Sequence, residues 1–231
     1  MLRKVSRSSP IVIAAALLAA SAVAGCSSGV SKAPNGTTVA SIISSMKAAF
    51  RTAKSVRMSG TAAVQGHVVT MDLSMLRSGE ASGTIKVGPL EEQIVVTGGN
   101  AYIYVSKSFF KFIQKTRHAP ASECALICGK WVKSPAGNFS GFSLTSLGNQ
   151  FEKNVPNASS VPSLKTTTFD GQAVYEVTDS AGAKGYIAQT SPHYLLGVTV
   201  QTSQGHSTIT FSEWNAVPPI SPPPANKVIG G

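Results

Sequence analysis

Val69, Met71, Leu73 and Met75 alternate with Thr70, Asp72 and Ser74, and no other feature limits the possible folds so tightly. A strict two-residue period demands an extended strand with one face buried and the other wet. Val56, Met58, Ala62 and Val64 show the same alternation just upstream, and Ile85 and Val87 continue it downstream. Ile94–Val96 and Tyr102–Val105 flank Gly98-Gly99, a pair that supplies the positive backbone angles of a tight hairpin. A second series follows: Ala173–Val177, Lys184–Ala188, Tyr194–Val200 and Ser207–Ser212, separated by turn signals at Ser180-Ala181-Gly182, Ser191-Pro192 and Ser203-Gln204-Gly205, with a further hairpin at Asp170-Gly171. The proline-rich end, Pro218 to Pro224, cannot be a central strand and is expected to trail along the surface.

Helical spacing occurs in two places. Val39, Ile42, Ile43, Met46 and Phe50 follow the helix-start candidates Thr37 and Thr38, so residues 38–53 are predicted to form one amphipathic helix packed on the sheet. Between the strand series, Ser106 to Asn157 has a different character. Phe109, Phe110, Phe112 and Ile113 crowd together among Lys107, Lys111 and Lys115, and Leu144, Leu147 and Phe151 follow Ser143 at helical spacing. Two short helices or ordered loops here could cover the concave face of a curved sheet, either completing a solid core or lining a hollow. The fold class expected is therefore α+β: a curved, mostly antiparallel sheet, a half-open barrel wrapped around an N-terminal helix, with a helical or loop insertion over its concave face.

The N-terminus carries an address. Arg3, Lys4 and Arg7 precede an apolar run from Ile11 to Val23, and Val23-Ala24-Gly25-Cys26 has the form of a bacterial lipoprotein cleavage site. The apolar run is too short for a stable membrane span. Residues 1–25 are read as a lipoprotein signal peptide, 26–37 as a lipidated tether beginning at acylated Cys26, 38–225 as one domain and 226–231 as a tail. Fatty chains such as palmitate contribute about 0.8 kcal/mol per buried methylene, so several on one cysteine would hold the chain at the membrane. The expected location is outside the cytoplasm, anchored to the outer face of the cell membrane in the envelope. Without Arg3, Lys4 and Arg7, basic residues fall from 20 to 17 against 10 acidic ones, a net charge near +7. A surplus of this size serves solubility or favours anionic lipid head groups and acidic polymers. The basic residues are scattered, which argues against nucleic acid as a partner.

Chemistry-bearing motifs are sparse. Cys124 and Cys128, in an oxidising compartment, are read as a disulfide stapling a turn that leads into Trp131. A metal site would need more ligands than His118 could add, and no metal or cofactor is expected. Ser44-Ser45-Met46-Lys47 and Ser108-Phe109-Phe110-Lys111 both match S-x-x-K, but companion S-D-N and K-T-G motifs are absent, as are G-x-S-x-G, G-x-x-x-x-G-K and H-E-x-x-H. No enzymatic activity is expected. His67, His118, His193 and His206 are widely spread and read as surface or strand residues; Asp72 reads as a solvent-side strand residue, and Asp170 and Asp179 as turn formers. Trp131 and Trp214 are candidates for core or cavity-wall positions.

The order of signal, tether, helix, antiparallel strands, insertion and further strands resembles the LolA/LolB-like lipoprotein carrier fold and the actinobacterial lipoproteins of the LppX/LprG type. The segments carrying the resemblance are the lipobox through Cys26, Met46-Lys47-Ala48-Ala49-Phe50 running into Ser55-Val56-Arg57-Met58-Ser59-Gly60, Gly129-Lys130-Trp131-Val132-Lys133, and Phe211-Ser212-Glu213-Trp214. The resemblance implies a half-open barrel around a helix, with a hydrophobic cavity that accepts acyl chains. The Cys124–Cys128 pair departs from that pattern. On this reading Phe109, Phe112, Ile113, Leu144, Leu147 and Phe151 are gate or wall residues, and Met71 and Met75 provide adaptable lining from the sheet. The partners expected are a lipid or lipophilic ligand, the membrane through the acyl anchor, and an envelope protein. The alternative is the same fold with a filled core, acting as a non-catalytic anchored interaction domain for a transporter, a sensor or an envelope polymer.

Overall fold

A computed structural model describes residues 37–230 except 65–66, 156–160, 162 and 204; the signal segment, Cys26 and most of the tether lie outside the described residues. Thr38 opens the first helix, α1 (Val39–Thr52), through a capping box: its hydroxyl accepts from the Ser41 amide while the Ser41 hydroxyl accepts from the Thr38 amide. The helix buries Val39, Ile42, Ile43, Met46, Ala49 and Phe50, one continuous stripe at 3.6-residue spacing.

Strands follow as a meander: β1 (Ser55–Val64), β2 (His67–Leu76), β3 (Ala81–Val87), β4 (Leu90–Thr97) and β5 (Asn100–Tyr104), each antiparallel to the next. Helices α2 (Lys107–Arg117) and α3 (Glu123–Ile127) precede β6 (Trp131–Pro135), and α4 (Leu144–Asn154) follows it, capped by the Ser143 hydroxyl on the Ser146 amide. The second meander is β7 (Ser163–Phe169), β8 (Gln172–Thr178), β9 (Lys184–Ala188), β10 (Leu195–Thr202) and β11 (Gly205–Ser212), whose last strand pairs with β1 and joins the two halves. The result is one 12-stranded sheet, ordered β12-β6-β5-β4-β3-β2-β1-β11-β10-β9-β8-β7, in which only β12 (Val228–Ile229) runs parallel to its neighbour β6. The sheet is curved and not closed. The expected α+β class and antiparallel character hold. The proline-rich end does trail away from the central strands, and the residues after it add the short edge strand.

The inner face, covered by α1 and α4, holds the main core. Val56, Val69, Leu73, Met75, Ile94, Ile209 and Phe211 from the strands meet Ile42, Phe50, Leu144 and Phe151 from the helices, all buried. Phe50 is the junction: its ring stacks on Phe151 at 4.6 Å and meets Trp214 edge-on at 4.8 Å. Arg77, after β2, reaches back to the end of α1, donating to the carbonyls of Ala53 at 2.5 Å and of Phe50, which satisfies acceptors that the helix terminus leaves open. The outer face is polar in its centre. There Arg57 forms a bidentate pair with Asp72 (2.8 and 2.7 Å) and reaches Glu213 at 3.0 Å. These hydrogen bonds, with the Coulombic attraction beside them, hold the Asp72 carboxyl below its usual range and the Arg57 guanidinium above its own. Cys124 and Cys128 are joined by a disulfide, with α carbons 4.8 Å apart.

Candidate functional site

Strand register places a transverse row on the inner face. Glu92 stands opposite Ile85, Ile85 opposite Met71, Met71 opposite Gly60, Gly60 opposite Ile209, and Ile209 opposite Val198. Gly60 contributes no side chain to the middle of this row. It is also a position that only glycine suits: φ is +143°, and a β carbon there would come within 2.0 Å of the Thr208 carbonyl oxygen.

A cavity of about 90 Å³ is lined by Met71 and Ile209, the row neighbours of Gly60, among others. On the sheet side it is bounded by Met58, Met71, Leu73, Met75 and Ile85, and across the β1–β11 junction by Val198, Val200, Ile209 and Phe211. On the helical side it meets Phe142, Leu147, Gln150 and Phe151. The wall is almost wholly apolar. Its polar groups are Gln150 and the buried Ser207, whose hydroxyl accepts from the Ala63 amide at 3.0 Å. Three of the five methionines of the chain, Met58, Met71 and Met75, face this space. A thioether side chain has three rotatable bonds and adapts to irregular contents at small cost.

The row ends at Glu92, half-buried beyond Ile85. Burial pushes its carboxyl above the ordinary glutamate range. No hydrogen bond or ion pair joins it among the described residues.

Of the residues read from the sequence as wall or gate, Met71, Met75, Leu147 and Phe151 line the cavity. Leu144 sits one turn before Leu147 on α4 and is fully buried in the core instead. Phe109 and Phe112 lie on α2, which packs against β4 and is not part of the cavity wall; the Ile113 side chain lies outside the described residues. Phe110, not singled out as a site residue, is the buried aromatic of that helix. The sequence reading missed Met58, Ile85, Val198, Ile209 and Phe211. Their two-residue alternation identified the inward face, but nothing local says which inward residue borders a void. The two S-x-x-K serines, Ser44 on α1 and Ser108 on α2, are exposed and remote from the cavity wall. Among the described residues no group of three or more His, Cys, Asp or Glu is placed to hold a metal ion.

A curved open sheet is covered over one face by helices, with an apolar cavity between them. Solved structures give the comparison its particulars. The chain is similar to LprF from Mycobacterium bovis, with a TM-score of 0.55 and 17% identity over 84% of this chain and 99% of that one. It is similar also to the Mycobacterium tuberculosis lipoprotein LppX, with a TM-score of 0.50 and 17% identity over 79% of this chain and 98% of that one. The fold is thus shared with LprF and LppX, in agreement with the resemblance drawn from the residues. No protein-family model and no curated protein sequence matches the chain.

Proposed function

We propose that this protein is an exported lipoprotein, tethered through acylated Cys26 to the outer face of the cell membrane, that binds or carries a lipophilic molecule between its sheet and α4. The observation that carries the reading is the methionine-lined apolar hollow between the sheet and α4. Binding is driven by removal of hydrocarbon from water, about 25 cal/mol per Å², and requires no reaction on the ligand. At about 90 Å³ the hollow is smaller than the ~150 Å³ cavity that takes up benzene, so an acyl chain enters only as the methionines and the half-buried Leu147 swing aside. The fit is therefore induced, and tail length sets the affinity through the extent of that displacement.

Delipidated protein titrated with a fluorescent fatty acid tests this. Uptake is expected, with Leu147→Asp weakening it about tenfold or more while far-UV and near-UV circular dichroism stay unchanged. Equal uptake by Leu147→Asp and the parent overturns the assignment. The small volume favours a second reading, in which the core is filled and the anchored domain serves protein partners. Solvent extraction of the purified protein followed by mass spectrometry separates the two: co-purifying lipid supports the carrier, and a lipid-free protein with a specific partner in a pull-down supports the interaction domain.

A further inference from the structure

A second groove, with outward-facing Thr210 and Ser212 of β11 in its lining, shares Phe211 with the cavity. Its volume is about 400 Å³, and it is bounded by the β7–β8 hairpin tip, the β9–β10 loop and the end of β11. Phe169, Tyr194 and Trp214 supply aromatic surface, and Asp170, Gln172, Thr190, Ser191, Thr210 and Ser212 supply hydroxyl, amide and carboxylate groups. Glu213 completes the rim.

The fold builds this groove deliberately. Phe169 stands opposite Gln172 across the Asp170-Gly171 turn, and its ring sits against Gly197 of β10 and stacks on Tyr186 at 4.4 Å. Gly197 permits this, since a β carbon there would come within 2.3 Å of the Phe169 ring. A register shift between Leu195 and Gly197 turns Leu196 outward into a small cluster with Val174 and Ala188, which underlies the groove. Tyr194 stacks on Trp214 at 4.8 Å, the indole N–H donates to the Leu195 carbonyl at 3.0 Å, and His193 Nδ1 donates to the Ala188 carbonyl at 2.8 Å. The rings are therefore fixed in place before any ligand arrives.

The lining also carries a charge signature. The chain has 20 basic residues against 10 acidic, yet among the described residues no Lys or Arg lines the groove, and the two charged side chains that do are carboxylates, Asp170 and Glu213. Of these, Glu213 is neutralised by Arg57 at 3.0 Å. Such a lining repels phosphates, sulfates and uronic acids. It offers one unpaired charge to a cation but many neutral donors and acceptors. Sugars present apolar C–H faces to aromatic rings and hydroxyls to carboxylates and amides, and pockets of ~300–1,000 Å³ suit small ligands of this size. We propose that this groove is a binding site for a neutral oligosaccharide, the segment of an uncharged glycan that would meet an anchored protein outside the membrane. The site shares only Phe211 with the lining of the hollow and stands whether or not that hollow takes lipid.

The test is an array of neutral hexose and pentose oligosaccharides probed with the full-length protein, followed by titration calorimetry of the hits. Tetramethylammonium chloride and an oligouronate serve as counter-probes. At least one neutral oligosaccharide is expected to bind, and Gln172→Ala and Asp170→Asn each to weaken it roughly tenfold, with fatty-acid uptake unchanged. Asn tolerates the left-handed backbone of residue 170, whose φ is 49°, and Gln172 is exposed, so both variants keep the fold. Gly197→Ala, which displaces the Phe169 ring, is expected to weaken the same ligand. The proposal is overturned if no neutral oligosaccharide binds, if tetramethylammonium or the oligouronate binds in its place, or if all three variants bind as the parent does.

Discussion

Glu92 is the residue whose environment and chemistry conflict most. Its carboxylate ends an apolar row, and burial with no compensating partner raises its pKa. A raised carboxyl pKa means the folded state holds a proton at pH values where the unfolded chain, with glutamate near 4.3, has lost it. Stability from this group is therefore fully present below the unfolded value and is lost as pH rises through the folded one. Glu92→Gln is expected to stabilise the protein at pH 7 by about 1 kcal/mol or less, a rise in Tm of up to about 2–4 °C for a chain of this size, and to have no stabilising effect at pH 4. Thermal unfolding at both pH values measures it; a gain that persists at pH 4 would show that ionisation is not the cause. The Arg57–Asp72 pair acts in the opposite direction, since a depressed carboxylate pKa contributes stability above the unfolded value and loses it in acid. Both side chains are more than 40% exposed, so that contribution is small.

Among the elements, α1 depends on residues remote in sequence. Its start is capped locally by Thr38 and Ser41, whereas its end is held by the guanidinium of Arg77, from beyond β2. Arg77→Ala leaves two helix-terminal carbonyls, at Phe50 and Ala53, without their donor and is expected to cost about 1.5–3 kcal/mol, as for hydrogen bonds to charged groups. Arg77→Lys recovers only part of this, because a single ammonium cannot reproduce the two-pronged contact. Urea unfolding of the two variants provides the comparison, and equal stability of Arg77→Ala and the parent would refute the capping role. The loss reaches the cavity too, since Phe50, one of the two residues so held, stacks on the cavity-lining Phe151.

At the scale of the whole molecule the C-terminal segment, leaving the end of β11, runs along the first half of the sheet. Asn215 accepts from the Lys54 amide at 2.5 Å, Val217 donates to the Ser55 hydroxyl, the Ile220 carbonyl accepts from Thr97, and Val228–Ile229 pair with Trp131 and Val132 at the far edge. One extended strap thus spans from β1, at the centre of the sheet, to β6. A chain ending at Val217 is expected to lose about 1–3 kcal/mol and to show faster hydrogen exchange in β6, with β1 and β2 protected as before. Unchanged exchange at Trp131 and Val132 would show that the strap does not support the edge. Proline at 218–219 and 222–224 suits this role, since an extended segment without strand neighbours needs no backbone donors there.

The alternation through Val69–Met75 and its counterparts determined that this chain forms an open antiparallel sheet with one buried face, and the spacing of Ile42, Met46 and Phe50 determined the helix that covers it, because both periods are properties of neighbouring residues along the backbone. Hairpins at Gly98-Gly99 and Asp170-Gly171 were legible for the same reason. The site was legible only in part. Met71, Met75, Leu147 and Phe151 were expected at the cavity and line it, while Leu144, one helical turn from Leu147, is consumed by the core, and the aromatic cluster of α2 was drawn to β4. Which inward side chain faces a void depends on cross-strand register and on where α4 settles against α1. The outer groove likewise exists only because Phe169 crosses two strands to rest on Gly197. Such contacts join residues far apart in the chain, and packing in three dimensions alone decides them.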